Sequence, residues 1–153
     1  MAFLSSMNIV ASGMTAQQLR LDVVAENVTN STTTRTEAGG PCRRKMVVFQ
    51  SVAGRDDFRA AMARAAEGLT PNAGAPTAGG VRVTQIVEDP SPMKLVYDPT
   101  HPDANEDGYV EMPNVDMVKE MTDAMAATQA YSANVTAFNT LKSVVAKGLE
   151  IGR

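Results

Sequence analysis

The acidic segment at residues 103–108 is the part of this 153-residue sequence that most resembles a metal site. Its order, Asp-Ala-Asn-Glu-Asp-Gly, reproduces the first six positions of an EF-hand calcium loop. The twelfth position, which should supply a bidentate carboxylate, is Asn114. Pro99 and Pro102 exclude an entering helix. We expect a polar turn here and keep a small calcium-binding module as the alternative of a different class.

The only histidine, His101, and the only cysteine, Cys42, offer little catalytic chemistry. One of each is too few for a four-ligand His/Cys zinc site. No nucleophile turn, phosphate-binding loop or dinucleotide fingerprint accompanies them. We therefore predict that the protein is not an enzyme and holds no metal or cofactor, and the role of Cys42 stays open.

The composition is that of a globular chain that does not bind nucleic acid. Apolar residues make up 44%, charged residues 20%, and the net charge is −3. The first 19 residues carry no charge, but Ser, Asn, Thr and Gln interrupt their apolar run. We therefore expect neither a cleaved signal peptide nor insertion into a membrane.

The prolines divide the chain into three parts. All 8 lie between Pro41 and Pro113, so both ends can be helical and the middle cannot be a long helix. We predict an N-terminal helical arm over 1–36, a β-rich or loop insert over 37–112 and a C-terminal helical arm over 113–153. The two arms would form one helical core.

Each arm carries an apolar seam with alternating four- and three-residue spacing, which is typical of one face of a paired helix. In the first arm, polar Gln17 interrupts the seam and Gly13 marks a bend or a close approach to a neighbour. The polar run 30–34 should end this helix, and Gly152 should end the second. The seam residues are Phe3, Met7, Val10, Met14, Leu21, Val24, Val28, Met117, Met121, Tyr131, Val135, Phe138, Val145 and Leu149.

The predicted fold is mainly α with a small β-rich insert, and the long helices pair as an antiparallel-type coiled coil. Residues 46–52, 81–87 and 94–97 are β-branched runs typical of short strands. Residues 56–67 could form an Ala-rich helix, and 70–80 are typical of a flexible loop. Whether residues 52–79 are ordered stays open.

The outer faces of the two arms are neutral rather than charged. Residues 124–141 carry no charge, and Ala, Ser, Thr, Asn and Gln cover the faces away from the seam. A helix that faces water normally shows charge on that side. A simple two-helix hairpin is one interpretation, but burial in an assembly explains the missing charges better.

Both chain ends carry recognisable short motifs. Residues 11–18, 22–25 and 27–36 contain S-G-x-x-A-Q, D-V-x-A-x-N and N-x-x-T-T. This order resembles the N-terminal pattern of the flagellar rod and hook axial proteins, with Val-Thr at 28–29 replacing the usual Leu-Ala. Residues 41–48 and many later motifs resemble a proximal-rod member, leaving only about 52–79 unmatched. The motif residues are Ser12, Gly13, Ala16, Gln17, Asp22, Asn27, Asn30, Thr33, Thr34, Pro113, Asn114, Asp116, Asn134 and Gly152.

The resemblance implies a structural subunit of the proximal rod of the bacterial flagellar basal body, the periplasmic drive shaft that transmits torque. It implies polymerisation through the terminal helices, and export by the flagellar type III apparatus without a cleaved signal. The implied partners are other copies, other rod proteins and export-gate or basal-body components. Another axial protein of the same family is the nearest alternative.

Overall fold

The computed structural model describes residues 2–37, 39–53, 62 and 78–151. In the described part of the chain, two long helices stand at the two ends and four strands lie between them in sequence, which confirms the predicted mainly α fold with a small β-rich insert. The elements in chain order are α1 (Ala2–Thr29), β1 (Lys45–Ala53), β2 (Ala78–Glu88), β3 (Lys94–Tyr97), β4 (Tyr109–Met112) and α2 (Met117–Ile151).

The chain forms two compact units, and both helices contribute residues to each. The first unit takes Met1–Ala16, Phe49–Thr84 and Ala130–Arg153. The second takes Gln17–Val48 and Gln85–Gln129. The predicted helix over 56–67 lies outside the described residues except for Met62. Gly152, which we predicted to end the second helix, also lies outside them.

Local side chains define the helix ends that face the insert. After Thr29 the chain leaves the helix, and the Asn30 side-chain amide donates to the Glu26 carbonyl at 3.0 Å. This amide satisfies a carbonyl oxygen near the end of the helix. At the start of α2, Asp116 Oδ1 accepts from the Val118 backbone N–H at 3.1 Å, which makes Asp116 an N-cap.

The strands form two separate two-stranded sheets, β1 with β2 and β3 with β4. The predicted loop over 70–80 is wrong at its end, because β2 begins at Ala78. Pairing with β1 extends the strand through a glycine pair that composition alone assigns to a loop. Gly80 has a φ of 100° there, a conformation that glycine tolerates best.

The sequence prediction also missed β4, so the described residues contain four strands where three were predicted. The β3–β4 pair is antiparallel, with Val96 opposite Val110 and Tyr97 opposite Tyr109. Unlike Leu-Val-Tyr in β3, the apolar residues of β4 are interrupted by Glu111, so pairing with β3 rather than local pattern reveals this strand. Val110 is 1% exposed and belongs to the core of the second unit.

The buried apolar residues are small, as expected from a chain poor in aromatics. Besides Pro113, the buried apolar side chains of the described residues are all Ala or Val: Ala16 in the first unit, and Val23, Val24, Val110, Val115 and Ala127 in the second. Such a core removes little apolar area from water, so contacts beyond it matter more for stability. Within the described ranges, the helices lack the length of apolar sequence needed to cross a membrane.

Candidate functional site

A buried polar network in the second unit connects both helices to the start of β1. Glu120, in the first turns of α2, is 0% exposed, and Asn27, near the end of α1, is 3% exposed. The Asn27 side-chain amide donates to Glu120 Oε2 at 3.0 Å. A buried carboxylate is costly unless it is fully paired, so the surrounding donors decide whether this arrangement is stable.

Arg44 supplies the charge that Glu120 requires. Arg44 Nε donates to Glu120 Oε1 at 2.6 Å, and a terminal nitrogen of the same guanidinium lies 3.5 Å from Asp89 Oδ2. Burial acts to lower the pKa of Arg44, but hydrogen bonding and the charges of Glu120 and Asp89 outweigh it and raise that pKa. The guanidinium therefore joins α2 to the segment that follows β2.

Asn27 also fastens α1 to the first residue of β1. Its Nδ2 donates to the Lys45 carbonyl at 2.8 Å, and its Oδ1 accepts from the Lys45 N–H at 2.8 Å. A side-chain amide thus pairs with the main chain in both directions, as a neighbouring strand would. The Lys45 ammonium pairs with Glu26, whose hydrogen bond is the main cause of a raised Lys45 pKa.

Asn114 repeats this arrangement just before α2. Its Oδ1 accepts from the Arg44 N–H at 2.9 Å, and its Nδ2 donates to the carbonyls of Asp89 and Ser91 at 3.2 and 3.1 Å. The Ser91 hydroxyl and N–H both donate to Asp89 Oδ1. These hydrogen bonds are the main cause of the lowered pKa of the Asp89 carboxyl, to which Arg44 adds.

A surface ion pair adds a second link between the helices in the same unit. Arg20 donates through Nε to Asp123 Oδ2 at 3.2 Å and through a terminal nitrogen to Oδ1. From Arg20 to Asn27 on α1, the partners on α2 run backward from Asp123 to Glu120. The helices are therefore antiparallel in this unit.

Close backbone approach characterises the first unit. A Cβ added at Gly13 would lie 3.0 Å from Asn134 Nδ2, so the glycine marks a close contact between α1 and α2. Ser12 Oγ donates to the Ile9 carbonyl at 2.6 Å and accepts from the Val81 N–H at 3.1 Å. A Cβ at Gly80 would overlap this hydroxyl.

The segment that resembles a calcium loop uses its oxygens to hold the turn. Asp103 Oδ2 accepts from Thr34 Oγ1 at 2.8 Å, and Asn105 Oδ1 accepts from the N–H groups of Asp107 and Tyr109. Among the described residues, no group of three or more acidic, His or Cys side chains is placed to hold a metal ion. His101 Nδ1 accepts from the Asp103 N–H at 3.1 Å, a local turn contact.

The predicted seam residues differ widely in exposure. Val24 is buried, whereas Met117, Met121 and Leu149 are exposed. The deepest positions of α1, Ala16, Val23 and Asn27, lie beside the seam. The side chain of Phe3 is outside the described part of the structure. The half-buried seam residues are Met7, Val10, Met14, Leu21, Val28, Tyr131, Val135, Phe138 and Val145.

Several motif residues lie together in the polar network, and others do not. Asn27 and Asn114 are part of it, Pro113 is fully buried beside it, and Asp116 caps α2. Thr34 contacts the turn at Asp103. The remaining described motif residues lie along α1 and its end or, for Asn134, on α2: Ser12, Gly13, Ala16, Gln17, Asp22, Asn30 and Thr33.

Sequence reasoning did not single out Arg44, Asp89 or Glu120. A lone carboxylate four residues after an N-cap is an ordinary helix feature, and its burial follows only from the fold. The signal that could have found them is the presence of all three within segments that resemble the rod family. The segments are Pro-Cys-Arg-Arg at 41–44, Val-Glu-Asp-Pro at 87–90 and Glu-Met at 120–121.

Two family profiles match the helical ends of the chain. The family described as flagella basal body rod protein matches residues 7–35. The family described as flagellar basal body rod FlgEFG protein C-terminal matches residues 106–151. These regions include most of α1 and all of α2. They also contain Asn27, Asn114 and Glu120 of the polar network, together with Pro113 and Asp116 beside it.

Full-length relatives carry the same description. The flagellar basal-body rod protein FlgC of Bacillus subtilis (strain 168) is 47% identical, over 97% of each chain. FlgC of Borreliella burgdorferi is 41% identical over 99% of this chain and 98% of its own. FlgC of Escherichia coli O157:H7 is 41% identical over both whole chains. This chain therefore belongs to the FlgC family of flagellar basal-body rod proteins and is a structural rod subunit.

Proposed function

We propose that this rod subunit polymerises through its two terminal helices and forms part of the proximal rod, the shaft that carries torque across the periplasm. The arms at 1–36 and 113–153 act as one helical core with coiled-coil pairing, and 37–112 is the insert. Its work is mechanical and no reaction is catalysed. The seam and motif residues serve this assembly.

The exposed apolar stripe on α2 carries the proposal. Val118, Met121 and Met125 are 72%, 59% and 65% exposed, and their spacing places them on one face of the helix. Glu120 and Ala127, at 0% exposure, lie on the opposite face. A row of large apolar side chains in water is unfavourable, and covering it would stabilise an assembly by about 25 cal/mol per Å².

A shallow groove beside this stripe adds to the case. Apolar parts of Val118, Thr122 and Ala126 line it, and Arg44 and Asp123 form its charged walls. A helix of another subunit fits such a combination of apolar floor and charged rim. The partners we propose are further copies of this chain, other rod proteins and export-gate or basal-body components, and the proposed route is the flagellar type III export apparatus.

Accessibility of single cysteines tests the stripe. Met121→Cys and Met125→Cys, each in a Cys42→Ser background, are expressed in Bacillus subtilis cells that lack their own FlgC. We expect a maleimide to label both in the purified chain and neither in isolated basal bodies. Ala127→Cys, on the buried face, is the matched control: it should be labelled more slowly than Met121→Cys in the purified chain and not at all in basal bodies. Equal labelling of Met121→Cys before and after assembly would contradict the proposal.

Amide hydrogen exchange gives an independent measurement. We expect residues 2–29 and 117–151 to exchange much more slowly in basal bodies than in the monomer, because their neutral faces become covered. Equal protection of these helices in the monomer would count against ordering by assembly.

A further inference from the structure

The outer face of the β3–β4 pair is a second exposed apolar surface, distinct from the helices. The pairing places Leu95 opposite Glu111 and Tyr97 opposite Tyr109, so these four side chains share one face. Leu95 and Tyr97 are each 65% exposed, and Tyr109 is 43% exposed. The tyrosine rings meet edge to face with centroids 5.3 Å apart.

Packing against the backbone and against the core holds the apolar side chains of this face in place. Gly108, with a φ of 78°, lets the Tyr97 ring approach the backbone, because a Cβ there would lie 3.0 Å from Tyr97 Cε2. An isolated two-stranded pair is marginally stable in water, and its other face is already packed through Val110. Rigid aromatic side chains on an exposed face are typical of a protein interface.

The segment that carries the face is acidic, although Arg35 lies near Tyr109 and Glu111 and pairs with Asp103. Residues 95–111 contain five acidic side chains and no Lys or Arg. Three of them, Glu106, Asp107 and Glu111, form no ion pair with any other described residue. An occupant must therefore offer apolar contacts together with positive charge.

The last turns of α2 have this combination. From residue 124 to the end of α2 at Ile151 the charged side chains are Lys142, Lys147 and, in the final turn, Glu150, so the lysines outnumber the carboxylate. Neither lysine has an ion-pair partner in the part of the chain described here. Leu149, which is 72% exposed, lies on the same side of the helix as Lys142, and Val144, which is 60% exposed, lies on the side of Lys147. The beginning of α2 is excluded, since residues 116–125 contain three acidic residues and one lysine.

We propose that the outer face of β3–β4 in one copy docks on the last turns of α2 in a neighbouring copy. This inference rests on the proposed polymerisation and names one of its contacts. Two different surfaces meet, so the contact is head-to-tail, the kind that builds rings and helical filaments rather than closed dimers. The acidic rim selects the lysine-bearing helix end, and the tyrosines supply the apolar contact.

Charge reversal on each surface, followed by combination of the reversals, tests the contact. The rim variant carries Glu106→Lys, Asp107→Lys and Glu111→Lys, and the helix variant carries Lys142→Glu and Lys147→Glu. We expect each to reduce incorporation into basal bodies by about tenfold or more, because like charges then meet. The combined variant should recover most of the incorporation, which a misfolded chain could not do.

Three outcomes would overturn the proposal. These are normal incorporation of the rim variant, normal incorporation of the helix variant, and failure of a correctly folded combined variant to recover. The last would mean that the face docks on a different rod protein. The polymerisation proposal is judged separately by cysteine protection at residue 121, so either idea can fail alone.

An apolar substitution gives a charge-independent readout. Tyr97→Ser should reduce incorporation by about tenfold. Val96→Ser, at the neighbouring position whose side chain points to the other face of β3, is the matched control and should retain more incorporation. An equal loss of incorporation into basal bodies in both variants would contradict a role for the outer face.

Discussion

Asn27 Nδ2 on α1 lies 3.0 Å from Glu120 Oε2 on α2, and neither side chain is more than 3% exposed. A buried polar pair between helices resists sliding, because a shift of one turn leaves both groups without partners. Asn27 also bonds both main-chain groups of Lys45. The register of the two helices is thus tied to the start of β1.

Removal of the Glu120 carboxylate should disrupt this register. Glu120→Ala removes one acceptor from Asn27 and one from the half-buried Arg44. These side chains keep the Lys45 carbonyl and Asp89 as partners, so we expect a loss of roughly 1–3 kcal/mol in helix pairing. Urea denaturation followed by circular dichroism measures the loss, and incorporation into basal bodies reports its effect. Glu150→Ala, on an exposed part of the same helix, is the control and should change stability little. Similar losses for both would contradict the role of the network.

Alanine at Gly80 should be much more damaging than alanine at another left-handed glycine. Gly80 and Gly40 have φ values of 100° and 81°, so both substitutions carry a backbone cost of about 1–2 kcal/mol. Only at Gly80 does the new Cβ meet an obstacle, the Ser12 hydroxyl, whereas Gly40 has open space. We expect Gly80→Ala to cost about 2 kcal/mol more in thermal unfolding. Equal costs would show that the Ser12 contact is unimportant.

Alanine at Gly13 and Gly148 should separate helix propensity from close packing. Each replacement favours the helix by about 1 kcal/mol. At Gly148 the new methyl group meets nothing within 4 Å, so helix content should rise in circular dichroism. At Gly13 the methyl group crowds Asn134, and the gain should be largely cancelled. Combining Gly13→Ala with Asn134→Ala should recover the gain in helix stability. If it does not, crowding of Asn134 is not what cancels the gain.

The Asp89 carboxylate should make stability depend on acid pH. Its pKa in the folded chain is lowered from 3.8, first by the hydrogen bonds of Ser91. A lowered pKa means that its contribution is fully present above pH 3.8 and is lost as pH falls through the folded-state value.

Comparison of Asp89→Asn with the wild type in urea denaturation measures this dependence. The wild type should be the more stable at about pH 6, and the difference should shrink as pH falls below about 4. Glu106→Gln, at an exposed turn position, should show a smaller difference at both pH values. If the free energies of unfolding of Asp89→Asn and the wild type differed by the same amount at every pH, the carboxylate charge could not be the cause of the difference.

Much of the secondary structure follows from local pattern. The absence of proline from residues 1–40 and 114–153 and the polar run after Thr29 predict the two helices, and three of the four described strands coincide with β-branched runs. The extension of β2 through Gly80 and the short strand β4 were missed, because pairing with a distant strand creates both. Gly13 allowed a bend or a close approach, and its contact with Asn134 favours the second.

The sequence by itself determined the element types, the neutral helix faces and the resemblance to rod proteins, since these depend on neighbours within a few residues. Only the tertiary structure decided that Asn27, Arg44 and Glu120 meet, because 93 residues separate Asn27 from Glu120 and 76 separate Arg44 from Glu120. Spacing along the chain carries no record of such contacts. The same holds for the face shared by Leu95, Tyr97 and Tyr109, which exists because β4 pairs with β3 in one register.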